Sequence, residues 1–157
     1  MIAFFPEFYP DELIYSGISR YHQRSGYSLL VSTIDDIYQH RTVRPSFEFV
    51  NSFTEDALDW MTRNTTFEEL IINHTMFPFY AYFFSFEKKE KAYEALIRQE
   101  GNWTNLLSLG KGERFFRYCP LCAKEDRDTY GEAFWHRIHQ IHRLKVCPFH
   151  SCYLNTQ

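Results

Sequence analysis

Cys119-Pro120-Leu121-Cys122 is answered by Cys147-Pro148-Phe149-His150, with 24 residues between the two knuckles. Each knuckle offers two soft or borderline ligands separated by two residues, a turn short enough for both side chains to reach one ion. Four protein ligands fill a tetrahedral zinc shell and leave no position for a reactive water. The predicted cofactor is therefore one structural Zn2+, held by Cys119, Cys122, Cys147 and His150. An all-cysteine set with Cys152 replacing His150 needs a four-residue gap in the second knuckle, and the two-residue gap matches the first knuckle better. Cys152 is then a small apolar residue in a final strand with Tyr153 and Leu154. A disulfide pair is the competing use of these thiols.

The chain length of 157 residues allows one moderate domain or a domain with a small appendage. Its start lacks a basic region and a long apolar stretch, so no secretory signal is expected and reduced thiols favour metal. No run of 18 apolar residues occurs, so no membrane partner is expected. The net charge of −3 divides unevenly. Residues 1–110 carry 9 Lys/Arg against 15 Asp/Glu, a balance of −6, and residues 111–157 carry 8 against 5, a balance of +3. That basic excess is small for a dedicated duplex binder and predicts weak or shared contact with nucleic acid. Arg114, Arg117, Arg137, Arg143 and Lys145 are the candidate phosphate contacts, because they cluster around the metal motif.

The pattern of caps and apolar spacing makes the first part mainly helical. Pro10-Asp11-Glu12 reads as a helix start, Leu13, Ile14, Ile18 and Tyr21 share a face, and Gly26 offers a left-handed stop. A second helix carries Ile34, Ile37 and Tyr38 behind Ser32 or Thr33, and Pro45 breaks the chain. Thr54 opens a third. Thr66-Phe67-Glu68-Glu69 is a capping box. Met76 through Phe84 is rich in aromatics and reads as core rather than a base-stacking platform. Glu87 through Gln99 is an amphipathic helix closed by Gly101-Asn102, with Leu106-Leu107 adding a turn. Gly110-Lys111-Gly112 is the linker candidate, dividing a helical part, 1–110, from a small zinc-binding α/β finger, 111–157. In the finger, Phe115 to Tyr118 and Lys145-Val146 are expected strands, and Glu132 to Ile141 an expected helix. His136, His139 and His142 would share a face of that helix, as hydrogen-bond partners around the zinc or contacts to a partner. A second metal site there lacks a fourth ligand.

Enzyme signatures are missing. There is no His-Glu-x-x-His, no Walker-type phosphate loop, and no His-x-Glu to accompany the cysteines as in a deaminase. The expectation is a protein without catalysis.

Several blocks in order resemble the TniQ/TnsD family. They are Phe5-Pro6 through Ser16 with Arg20-Tyr21-His22 and Ser25-Gly26; His74-Thr75-Met76-Phe77-Pro78-Phe79-Tyr80; Phe116 through Cys122; Tyr130 through Arg137; and Cys147 through His150. The resemblance implies a helix-turn-helix-like helical part beside a zinc part, with the ligands falling on Cys119, Cys122, Cys147 and His150. It also implies a target-site selector in DNA transposition, in a bacterial cytoplasm and on the nucleoid once assembled. Such a selector recognises an insertion site on double-stranded DNA, or a guide-RNA (CRISPR) effector complex there. It recruits a TnsC-like AAA+ ATPase. Long members of the family continue well beyond this length, so the expected seat of sequence-specific reading is a portion beyond residue 157. This chain departs from the family where Ile141-His142 replaces a Leu-Pro pair and Ser151 follows the last ligand. The alternative reading is a free-standing sequence-specific zinc-finger DNA-binding protein, with Arg20-Tyr21-His22-Gln23-Arg24 as its reading stretch.

Overall fold

Gly26 has φ +69°, a value that glycine adopts without steric cost, and it ends the first helix where the sequence predicts. The computed structural model describes residues 2–41, 52–100, 103–107 and 115–157. Pro45, Gly101-Asn102, the Gly110-Lys111-Gly112 linker and the boundary it marks lie outside them. The helical elements are α1 (Ile14–Ser25), α2 (Leu30–Ile37), α3 (Glu55–Met61), α4 (Phe67–His74), α5 (Phe77–Ala81), α6 (Phe86–Ile97) and α7 (Trp103–Leu106). Then come β1 (Arg117–Tyr118), α8 (Pro120–Tyr130), a 3₁₀ turn at Ile138–Gln140, and β2 (Asn155–Thr156). The protein is thus mainly α. Its one two-stranded sheet pairs β1 and β2 antiparallel, with Arg117 opposite Thr156 and Tyr118 opposite Asn155.

Local chemistry sets several boundaries. Thr54 caps α3 by accepting the Ala57 N–H at 3.2 Å. Thr66 and Glu69 exchange both bonds of a capping box, 3.1 and 3.0 Å, at the start of α4. The α1 start differs from expectation. Asp11 and Glu12 do not cap it; the helix begins at Ile14, and Leu13 makes no side-chain cap. Asp11 instead accepts from the Ile138 N–H at 3.0 Å and Arg137 Nε at 3.1 Å, while Glu12 accepts from Arg20. Tertiary donors, two of them guanidinium groups, take these carboxylates in place of the first N–H groups of α1, and Glu12 also accepts the Tyr9 N–H at 2.9 Å. Similarly, α2 starts before Ser32 and Thr33, and Thr33 is buried with its hydroxyl 2.6 Å from His22 Nδ1.

The helical core gathers Phe5, Ile14, Ile18, Tyr21, Ile37, Phe53, Leu70, Ile71 and Leu96. Tyr21 stacks on Phe5 at 5.7 Å, and Tyr38 on Phe53 at 5.3 Å. The aromatic block after Met76 is core only in part. Met76, Phe77 and Ala81 are buried, but Tyr82 and Phe83 are 78% and 70% exposed. A short helix turns Phe77 and Ala81 inward at i, i+4; past its end Tyr82 and Phe83 fall outside, while Phe84 packs partly buried against the core.

The second part corrects the expected order of elements. Its main helix, α8, begins inside the first knuckle, and Glu132 to Ile141 is not a helix beyond its 3₁₀ turn. Pro120 is preset for the first helical turn, Cys119 Sγ accepts the Cys122 N–H at 3.4 Å, and Gly131, φ +84°, ends the helix. Residues 133–137, which precede the 3₁₀ turn, are held outside any helix by bonds to the helical part: Leu13 N–H donates to Trp135 O at 3.0 Å and Arg137 N–H to Asp11 O at 2.7 Å. Trp135 N–H also donates to Ser16 Oγ at 3.0 Å. Tyr15 stacks on Phe116 at 4.7 Å, and Tyr9 packs on Tyr130 in a tilted pair at 4.4 Å. Val146 forms one bridge, to Tyr153, and the final strand lies at Asn155–Thr156 instead of at Cys152.

Candidate metal centre

Two short segments converge on one point. The N-terminal turn of α8 supplies Cys119 and Cys122, and the turn after Val146 supplies Cys147 and His150. That turn is closed by Ser151 N–H to Cys147 O at 2.9 Å and by Cys147 N–H to Cys152 O at 2.8 Å. The ligand atoms of Cys119, Cys122, Cys147 and His150 all lie within 4.8 Å of one another. The three cysteines are buried and His150 is half-buried.

The distances test what this group can hold. Zinc–sulfur and zinc–nitrogen bonds of ordinary length give tetrahedral edges of about 3.8 Å between sulfurs and about 3.6 Å between sulfur and nitrogen. Cys122 and Cys147 sulfurs are 3.7 Å apart. His150 Nδ1 lies 3.6, 3.3 and 3.8 Å from the sulfurs of Cys119, Cys122 and Cys147. Cys152 Sγ is 3.3 Å from Cys119 Sγ but does not join the group of four. The geometry fits a four-coordinate metal ion held by three sulfurs and one nitrogen.

Electrostatics around the group have identifiable causes. Glu125 on α8 meets His150 Nε2 at 3.0 Å and, followed by Cys147, raises the pKa of that imidazole. Its carboxylate also fixes the proton on Nε2 and turns Nδ1 toward the sulfurs. Burial pushes the Cys122 thiol up, with Cys147 and Cys119 adding to it. Burial would raise Cys119 too, but the Cys122 N–H and the neighbouring thiols bring it below its ordinary value. A metal ion takes such cysteines as thiolates.

The three expected histidines part company because no helix carries them. His136 is paired with Asp126 at 2.9 Å. His139 is fully buried with Nε2 3.7 and 3.6 Å from the Cys122 and Cys147 sulfurs. His142 is exposed. Among the described residues, the metal-capable group is the Cys119, Cys122, Cys147 and His150 set. Of the three histidines expected around the zinc, His139 is the one that faces the sulfurs, whereas Glu125 is not readable from spacing because it depends on α8 beginning inside the first knuckle.

The five candidate phosphate contacts also separate. Arg117 is buried and donates to the Leu144 and Ile141 carbonyls at 2.8 and 2.9 Å. Arg137 bonds Asp11 and the Ile72 and Thr75 carbonyls across the seam. Arg143 and Lys145 are exposed. Arg114 lies outside the described residues.

Comparison with known proteins is consistent along the chain. The profile of the family described as TniQ matches residues 3–154. Over 153 residues the chain is 32% identical to the transposon Tn7 transposition protein TnsD of Escherichia coli. The match covers 94% of this chain and 30% of that relative, so the chain spans under a third of the relative's length. Among the described residues, no helix is long and apolar enough to cross a membrane.

Proposed function

This chain belongs to the TniQ family, and on that premise we propose that it acts as a non-catalytic target-site selector in DNA transposition. In this reading it recruits a TnsC-like AAA+ ATPase to an insertion site on double-stranded DNA, or to a guide-RNA effector complex bound there. The observation that carries the proposal is the unbroken family match across both the helical part and the metal centre. The relative's role in Tn7 transposition points the same way.

Cys119, Cys122, Cys147 and His150 would hold one Zn2+, which when bound supplies a rigid cross-link and no open coordination position. What the chain's own residues do is fix a platform. The Glu12 segment, Trp135 and Arg137 join the 1–110 and 111–157 parts through backbone and side-chain bonds. Arg143 and Lys145 would meet phosphates beside it, with Arg117 and Arg137 supporting that surface from within.

The free-standing DNA reader gains little from the same geometry. Much of its reading stretch is engaged within the protein: Arg20 and Tyr21 are buried, with Arg20 tied to Glu12, and His22 meets Thr33, while Gln23 and Arg24 stay exposed with Arg24 paired to Glu132.

The test is a pull-down of the AAA+ ATPase from the same element, with and without ATP, on DNA carrying the insertion site. Nucleotide-dependent co-retention is expected. Binding of this chain to a defined duplex with a strong sequence preference and no ATPase retention would replace the proposal with the free-standing reader.

A further inference from the structure

Beside the four candidate ligands stands a fifth polar group, one of three histidines the sequence offers as hydrogen-bond partners of the zinc site, and the structure shows which atoms it faces. His139 is 0% exposed, and its Nε2 faces the edge between Cys122 and Cys147, at 3.7 and 3.6 Å. Its Nδ1 is buried and has no hydrogen-bond partner among the described residues. A zinc ion with three thiolates retains one negative charge, and burying that charge is costly unless donors reach the sulfurs. Cys119 has the backbone N–H of Cys122. Cys122 and Cys147 have His139.

We infer that His139 is a positioning residue that donates Nε2–H to the Cys122 and Cys147 thiolates of the loaded centre, without being a ligand itself. The opposite tautomer is doubly unfavourable. It would aim the Nε2 lone pair at two negatively charged sulfurs and leave a buried Nδ1–H with nothing to bond. Distances of 3.6 to 3.7 Å suit a nitrogen donor to sulfur. The ring is also held in place: it packs on His136 at 5.0 Å, and His136 is fixed by Asp126. Packing of this kind leaves the imidazole little freedom to turn its donor away.

The consequence reaches past the metal. His139 lies on the 3₁₀ turn whose flanking residues Arg137 and Ile138 bond Asp11 of the helical part. The sulfurs and the seam are therefore joined through a single imidazole and three consecutive residues.

This inference rests on the metal reading, and the experiment separates the two. Elemental analysis of the purified chain comes first, with one zinc per chain expected; absence of any ion overturns both. On the zinc-loaded wild-type chain, long-range proton–nitrogen NMR of the histidine rings should find the His139 proton on Nε2 and Nδ1 bare. A proton on Nδ1, with zinc present, overturns the donor role and leaves the metal reading standing. Variants provide the second readout. His139→Leu should lose zinc to a chromogenic chelator about 10-fold faster than wild type, while His139→Gln, which keeps an N–H near the same place, should stay close to wild type. Equal release from all three overturns the proposal. If His139→Leu does not fold, the tautomer of the wild-type ring decides alone. Cobalt substitution of His139→Gln should preserve tetrahedral absorption, and a changed coordination number there would make His139 a ligand and overturn the assignment.

Discussion

Arg20 and Glu12 form a two-bond ion pair almost without solvent: Nε to Oε1 is 2.9 Å and Nη2 to Oε2 is 2.7 Å, with side chains 5% and 0% exposed. Arg20 also reaches Glu132 at 3.1 Å and lies 4.0 Å over the Tyr9 ring. Glu12 in turn bridges to His136 through its backbone. One guanidinium thus holds α1, the segment before it and the start of the second part in register.

Removing one partner of such a pair strands the other charge in a dry interior. Arg20→Met should lower unfolding free energy by about 3–5 kcal/mol, read from urea titration. Arg20→Met combined with Glu12→Gln should recover much of that loss, since no ion then remains buried. A single variant as stable as wild type would show that water reaches Glu12.

His74 gives a pH dependence. Its Nδ1 meets Glu12 O at 2.7 Å and its ring packs on Phe8 at 4.8 Å. Burial lowers its pKa, overriding the opposite pull of Glu12. Below about pH 6.5 the unfolded chain takes up a proton that the folded one refuses, so this residue's contribution is full above that value. It is lost progressively as pH falls toward the lowered pKa. Urea midpoints at pH 7.5 and 5.5 should therefore differ less in His74→Gln than in wild type. Equal differences would place the acid sensitivity elsewhere.

The parts of the fold legible in the sequence are those decided within one turn of chain. Thr66 and Glu69 satisfy each other across three residues, Thr54 caps its own helix, and Gly26 needs only its missing Cβ. The group that could hold a metal is legible for the same reason, since each knuckle is local and only their meeting is long-range. What escapes is decided by distant partners. Asp11 and Glu12 carry every mark of a helix start, yet Arg137, Ile138 and Arg20 claim them. Arg117 and Arg137 look like surface cations, but carbonyls of Ile141, Leu144, Ile72 and Thr75 turn them inward. The helix at Pro120–Tyr130 had its signals in Pro120 and Gly131. The segment Glu132 to Ile141, expected as a helix, is limited to its 3₁₀ turn because backbone bonds to Leu13 and Asp11 hold the residues before it.

Metal removal should act on the whole of residues 115–157, because Cys119, Cys122 and Cys147 are themselves the buried cluster of that part. With free zinc a thousand-fold above its dissociation constant, binding stabilises the folded chain by about 4 kcal/mol. A strong chelator should lower the thermal midpoint of wild type accordingly and leave Cys147→Ser, already without a complete shell, unchanged. Hydrogen exchange should quicken at Arg117–Tyr118 and Pro120–Tyr130, and secondarily at Leu13 and Arg137 along the seam. A midpoint indifferent to chelation would end the case for a structural metal.

The proposed phosphate contact is best tested at Arg143 and Lys145, because their exposure separates electrostatics from folding. Reversing Arg117 or Arg137 would break internal bonds, so loss of binding there would be ambiguous. Arg143→Glu with Lys145→Glu leaves those bonds intact and removes two outward charges. Each phosphate neutralised contributes about −0.9 to the slope of log affinity against log salt on duplex DNA. The double variant should therefore retain the ATPase-bound assembly on DNA less well at low salt and flatten that slope by about 2. Its thermal midpoint should match wild type. Unchanged retention and slope would move the phosphate contact off this face, toward another surface of the assembled complex.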